Sequence, residues 1–332
     1  MKNLFLTSVV LWPVAALAGV CDLAPSGPIK ITYDYQVVHG LSIRAYGSTP
    51  GIDLQGHQGV VIYSSKILHG AGPGILVSGN SAGVYSVNIT GASTTRSGSN
   101  ISCYGGYGLA VGNVRLTHGN KGIDLIYCDG AQMNGIEGHD QHDINGYYSY
   151  GALVQFNNSN DGWINNFSND NSPSNLAGGD VVSVYHSDDT AISNGWIRGV
   201  NGIYACGVQV DEESSHAAVW SVDITGAMNC GFAAYGSGGD DAAFWNVRVR
   251  DTAPSSVQGP PSSGGWAFIG PCYPWTDSNC YVTKTRVDFN GEYYWNLYYP
   301  STVALNSEAM VTANFVHADF VPRAPFVADV CP

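Results

Sequence analysis

Positive charge is scarce in this chain. Its 332 residues hold 13 Lys and Arg against 26 Asp and Glu, a formal net charge of −13, and all charged residues together make up 12%. A surface so poor in cations argues against nucleic acid and anionic membranes as partners. A polyanionic substrate would need a bridging cation. A solvated acidic surface of a secreted protein accounts for the same charge without any partner. Long apolar runs are also missing. The one apolar stretch of note, from Leu4 to Val14, is too short to span a bilayer, so no membrane partner is expected. Helical periodicity is the third absence. No run of roughly a dozen residues repeats apolar positions at helical spacing between caps, which excludes an α/β barrel or a doubly wound sheet.

The amino-terminal stretch reads as a secretory signal peptide over residues 1–18. Lys2 supplies the positive end, Leu4 to Val14 the apolar region and Ala16-Leu17-Ala18 a small-residue cleavage site. The mature chain is expected to be soluble and extracellular. Eight cysteines agree with that, because secreted chains form disulfides. N-x-S/T glycosylation sequons stand at Asn88, Asn100, Asn157 and Asn166.

What the chain does have is a repeat. Cys206-Gly207 and Cys230-Gly231 are followed by matching text, CGVQVDEESSHAAVWSVDITG and CGFAAYGSGGDDAAFWNVRVRD. Each unit is an apolar strand, a polar turn and a second alternating strand. Such a period marks a stacked solenoid. First strands align at Gly51–Gln55, Gly74–Val77, Gly122–Ile126, Gly151–Phe156, Asp180–Tyr185, Gly207–Asp211, Gly231–Tyr235 and Gly265–Ile269. Second strands align at Val84–Thr90, Trp163–Phe167, Ile192–Arg198, Val219–Thr225 and Phe244–Arg250. Alternation points Val222 and Ile224 inward, and Asp223 and Thr225 outward.

This coil pattern resembles the pectate-lyase-like parallel β-helix superfamily. The resemblance implies an all-β, single-domain, right-handed parallel β-helix of about eight coils. It would run over 51–290, after an N-terminal cap segment at 19–50 and before a last coil and C-terminal cap at 291–332. Stacked coils place Cys206 against Cys230, and Cys103 and Cys128 flank one coil and can pair. Cys272 and Cys280 are expected to close a local loop. Cys21 and Cys331 would then lie at opposite ends of a straight solenoid. Either a terminal segment runs back along the helix or the pairing differs.

The turns from second strand back to first are long at 138–151, 169–179 and 251–265. Long loops on a rigid scaffold commonly carry function. They lead into the first strand, so the expected groove is that strand's outward face. Asp180, Asp211 and Glu212 are the candidate acid/base residues there. Asp124, Tyr185, His186, Gln209 and Tyr235 are the candidate substrate contacts, since tyrosine faces stack on pyranose rings and polar groups bond hydroxyls. The structural alternative is that a β-helix always shows a polar row to solvent. Asn88 and Asn166 map to the second-strand face, which favours the first. Asn157 falls inside the chosen groove.

The densest polar run is Gly138-His-Asp-Gln-His-Asp143. His139, Asp140, His142 and Asp143 could bind a metal or transfer protons, or simply solvate a loop. The run is similar to the Asp-Pro-His-Asp motif of mannuronan C5-epimerases, with Gln141 in place of the proline. Asp188-Asp189 and Asp240-Asp241 fit turn positions or a glycosidase acid pair. The polygalacturonase signatures Asn-Thr-Asp, Gly-His-Gly and Arg-Ile-Lys are absent.

The expected function is a secreted carbohydrate-active enzyme cleaving a polysaccharide. Elimination needs a basic residue, and Arg198, Arg248 and Arg250 map to the second-strand face. Hydrolysis, which needs no cofactor, is therefore preferred over a lyase, which would use calcium on a uronate. An epimerase-like protein and a non-catalytic glycan binder are the remaining alternatives.

Overall fold

A computed structural model describes residues 21–92, 98–142, 151–172, 179–201, 205–211, 213–227, 230–234, 242–250, 266–269, 286–287, 297–298, 304–305 and 322–332. Among these there is no α-helix. Strands form two parallel sheets, one of 11 short strands and one of 14 mostly longer ones. The chain passes through the short-strand sheet, turns, passes through the long-strand sheet, and begins the next coil. This alternation of parallel pairing is a parallel β-helix.

Stacking like on like builds the core. Ile52, Ile75, Ile101, Ile123, Val154, Val182, Val208 and Phe232 are successive partners in the short-strand sheet, and each is fully buried. Burying one such side chain is worth about 1.5–3 kcal/mol. Val222 and Ile224 point inward as expected and are fully buried. The long strands are bent midway. Ser64, Ser86, Asn113, Gly135, Asn166, Asn194, Ser221 and Asn246 hold one matched position, with φ between 46° and 78°. Small residues that tolerate the left-handed region are what this bend requires.

The turn from short to long strand is held by side chains that reach from coil to coil. Ser159 accepts from the Cys128 N–H, Ser187 from the Ser159 N–H and Ser214 from the Ser187 N–H, at 2.9–3.2 Å. Beside them, Asp129 accepts from the Asn160 N–H, Asn160 from the Asp188 N–H and Asp188 from the Ser215 N–H. Asp188 is thus a turn residue. Asp240-Asp241 lie outside the described residues.

Two alignments were incomplete. The strand Ile101–Tyr104 adds a coil between Ile75–Val77 and Ile123–Ile126. It lacks the leading glycine or aspartate that marks the others. Pairing also begins earlier than residue 51, because Ala24–Ser26 and Ile29–Lys30 already join the two sheets.

Disulfides join Cys103 to Cys128 and Cys206 to Cys230. Cys272 and Cys280 lie outside the described residues. The remaining pair is Cys21–Cys331, across a sequence separation of 310. Residues 322–332 therefore return towards the amino-terminal end. They run back over the outward side of the long-strand sheet. Arg323 donates its N–H to Asp223 at 2.6 Å and Ser168 donates to the Phe326 carbonyl at 2.6 Å. Ala328 N–H reaches Glu137 at 2.7 Å, and Asn113 and Asp329 exchange two bonds. Asn88 Nδ2 donates to the Cys331 carbonyl and Lys66 to the Pro332 carbonyl, at 2.9 and 2.8 Å. The distances close. Residues 323–332 extended at about 3.3 Å each span roughly 30 Å, and six inter-strand steps of about 4.8 Å come to roughly 29 Å.

Burial changes the reading of two sequons. Asn88 is buried beneath this carboxy-terminal tail, with its amide nitrogen committed to Cys331. Asn100 is fully buried and donates to His69 Nε2 and to the Ile89 and Thr117 carbonyls. A glycan on either would remove those bonds from the fold, so the structure contradicts both as glycosylation sites. Asn166 is an exposed bend residue and Asn157 is half-buried.

The tail also explains why an outward carboxylate, Asp223, is fully buried. It is held between the guanidinium groups of Arg248 and Arg323. Removing one member of such a cluster strands the others. Asp223→Ala is expected to cost about 3–5 kcal/mol in denaturant unfolding. A loss under ~1 kcal/mol would show the cluster to be dispensable.

Candidate functional site

The short-strand sheet presents two outward rows, each generated by register. Ser102, Asp124, Gln155, Ser183 and Gln209 are successive partners in one. Tyr104, Ile126, Asn157, Tyr185 and Asp211 are successive partners in the other. Asp124, Ser183 and Gln209 thus share a row, as read from the sequence, and Tyr185 lies directly beside Asp211. Gln209 Nε2 donates to Asp211 Oδ2 at 2.8 Å, tying the rows together.

Asp180 sits where the chain enters the strand Val182–Tyr185 and is buried. Its Oδ1 accepts the Cys206 N–H of the next coil at 2.6 Å. Burial disfavours its ionised form. The Cys206 N–H opposes that, and the negative charge of Asp211 adds to it, so the carboxyl is pushed up to about 8. Asp180 therefore keeps its proton at neutral pH. The Cys206–Cys230 disulfide fixes the strand whose amide it holds.

At the exit of the same strand, the Tyr185 and His186 rings meet edge-on at 4.1 Å, and His186 Nδ1 lies 3.3 Å from the exposed Glu213 carboxylate. Glu212 and Tyr235 lie outside the described residues, as do most of the long loops expected to wall the groove.

One residue on this face escaped the sequence. Lys121 is buried, and its Nζ lies 2.8 Å from Asp124 Oδ1. A basic residue therefore stands on the first-strand face, besides Arg198, Arg248 and Arg250 assigned to the second. Lys121 sits in the turn before the strand Ile123–Ile126, and the Lys-x-x-Asp spacing points to a contact only once the strand's start is known.

The 138–143 run does not gather into one centre. His139 turns to Glu137 at 2.7 Å, on the long-strand face beneath the tail. Burial would raise the Glu137 pKa, but His139, the Ala328 N–H and Arg115 together outweigh it and hold the carboxyl low. Asp140 accepts the Ser172 N–H at 2.6 Å, and His142 faces the His118 ring. Asp143 lies outside the described residues. Among the described residues, no group of three or more His, Cys, Asp or Glu could hold a metal ion.

No protein-family model and no curated protein matches the chain. Solved structures do. One is an alginate lyase from Paenibacillus sp., at 16% identity and a TM-score of 0.42, covering 81% of this chain and 91% of that one. Another is the catalytic domain of a GH87 alpha-1,3-glucanase in complex with nigerose, at 11% identity and a TM-score of 0.30, covering 87% of this chain and 63% of that one. A third is a periplasmic alginate epimerase, at 10% identity and a TM-score of 0.22, covering 82% of this chain and 77% of that one. The likeness is one of fold. At these identities and scores, it is the chain's own strand pairing that establishes its architecture.

Proposed function

We propose that this protein is a secreted carbohydrate-active enzyme that binds a polysaccharide along the outward face of the short-strand sheet and cleaves it by hydrolysis. The observation that carries this reading is Asp180, a buried carboxyl pushed up to about 8, which feels the negative charge of Asp211. Two carboxyls in unlike environments are what glycoside cleavage uses. One protonates the leaving oxygen and the other acts on water or the sugar. Asp180 takes the first role and Asp211 the second. Tyr185, Gln209 and Asp124 line the same face and would meet the sugar. Such a hydrolase requires no cofactor. The disulfides fit an oxidising, extracellular location.

Lys121 supports a second reading. A buried ammonium on this face could act as the base of an elimination, in which case calcium on a uronate would be needed. The test is a panel of alginate, polygalacturonate, a soluble α-glucan and galactomannan, reading reducing ends and ultraviolet absorbance together. Reducing ends without absorbance are expected from at least one glycan. Absorbance that is lost in Lys121→Met would replace hydrolysis with elimination. Neither signal from any glycan would favour a binder.

A further inference from the structure

Three exposed tyrosines stand at the strand-exit edge of the short-strand sheet, away from Asp180. Tyr104 is 58% exposed, Tyr107 61% and Tyr127 57%. Tyr104 and Tyr127 meet edge to face with ring centroids 6.4 Å apart. Each directly adjoins one half-cystine of the Cys103–Cys128 disulfide, which therefore pins both backbones. Tyr107 lies against Gly130, where an added Cβ would come within 3.1 Å of the ring.

Tyr127 also carries a conformational cost. The residue that leaves the strand is left-handed in successive coils: Gly105 at φ 65°, Tyr127 at 53°, Asn158 at 51° and His186 at 47°. Gly or Asn meets that requirement cheaply, and a bulky aromatic does not. A strained, exposed, disulfide-pinned aromatic is not needed by the fold, since its ring is not in the core.

We propose that Tyr104, Tyr107 and Tyr127 form a stacking platform for pyranose rings of a polysaccharide, remote from the cleavage site but on the same face. This rests on the reading of that face as polysaccharide-binding. Register supplies the path. Tyr104, Ile126, Asn157, Tyr185 and Asp211 are successive partners in one row. Four inter-strand steps separate Tyr104 from Asp211, about 19 Å. A disaccharide cannot bridge that length, whereas a polymer can. The substrate class is thus an extended chain, and short oligosaccharides should be poor ligands. Rigid tyrosines give contact area with little loss of side-chain freedom, which suits them to such a platform.

The test is affinity electrophoresis in gels containing each of the four glycans named above, with protein made in a host that does not glycosylate Asn157. Wild type should be retarded by at least one. Tyr104→Ala and Tyr127→Ala should each weaken that retardation about tenfold. Tyr104→Trp should restore it, and Tyr33→Ala, another exposed tyrosine, should behave as wild type. Light scattering should show the same mass for all variants. Unaltered migration of both alanine variants, no retardation of wild type in any gel, or a change of oligomeric mass would overturn the platform. Cleavage by Asp180→Asn is measured separately. Full activity there sinks the catalytic assignment alone, while loss of binding in the tyrosine variants still upholds the platform.

Discussion

Asp180→Asn is expected to lose activity by about two to four orders of magnitude, the usual contribution of a positioned general acid, and at the same time to make the fold more stable at alkaline pH. The two effects have one cause. Asp180 is buried and retains its proton to about pH 8. Below the ordinary carboxyl value of 3.8, folded and unfolded chains both hold this proton. Between 3.8 and about 8 the unfolded chain has released it and the folded chain has not. Stability linked to this group therefore falls as pH rises through that window, and the fall is complete above it. Asparagine has no proton to release, and its amide oxygen can still accept the Cys206 N–H. Urea unfolding of the two proteins should coincide near pH 4 and diverge towards pH 9, with the variant more stable. Glycan cleavage at pH 7 should fail in the same variant. A variant that is inactive but no more stable at pH 9 would mean that Asp180 is ionised in the fold. A variant that is more stable and fully active would make Asp180 a structural acid only.

The second large effect concerns the tail. In a solenoid each coil touches only its neighbours, so unfolding can spread from a frayed end. Here residues 322–332 bond to strands from Asp223 back to Lys66, and the tail is then covalently closed to Cys21. That ties the coil of Asp223 to the amino-terminal strands. A chain-entropy treatment of a loop this long gives about 5–6 kcal/mol for the Cys21–Cys331 closure. Replacing both cysteines with serine should lower the melting temperature by many degrees under non-reducing conditions. Removing 322–332 from that double variant should lower it further, because Asp223 loses Arg323 and Glu137 loses the Ala328 N–H. Calorimetry should then resolve a broad or stepwise transition in place of a single one. Superimposable melting curves for wild type and the double-serine variant would show that the tail holds without its disulfide.

The parts legible in the sequence were those set by local pattern. Alternation fixed which side chains enter the core, as at Val222 and Ile224. Repeated Cys-Gly units fixed the register that brings Tyr185 beside Asp211 and Cys206 beside Cys230. Serine and asparagine at the long-strand bends are consistent with their local backbone preference. Where a coil lacked its marker, as at Ile101–Tyr104, the same method passed over it.

The rest depended on contacts between residues far apart in the chain. Asp180 is an acid/base candidate from the sequence, but only its burial against the next coil's amide gives it a retained proton. Lys121 became part of the face only when its turn was seen to fold back on Asp124. His139 and His142 are near in sequence but take different partners, Glu137 and the His118 ring. By itself, the sequence determined the coil and the face that holds Tyr185, Gln209 and Asp211. Only the tertiary structure decided that the carboxy-terminal tail runs back over the other face, burying Asn88 and closing Cys21 to Cys331, because a contact across 310 residues leaves no trace in local periodicity.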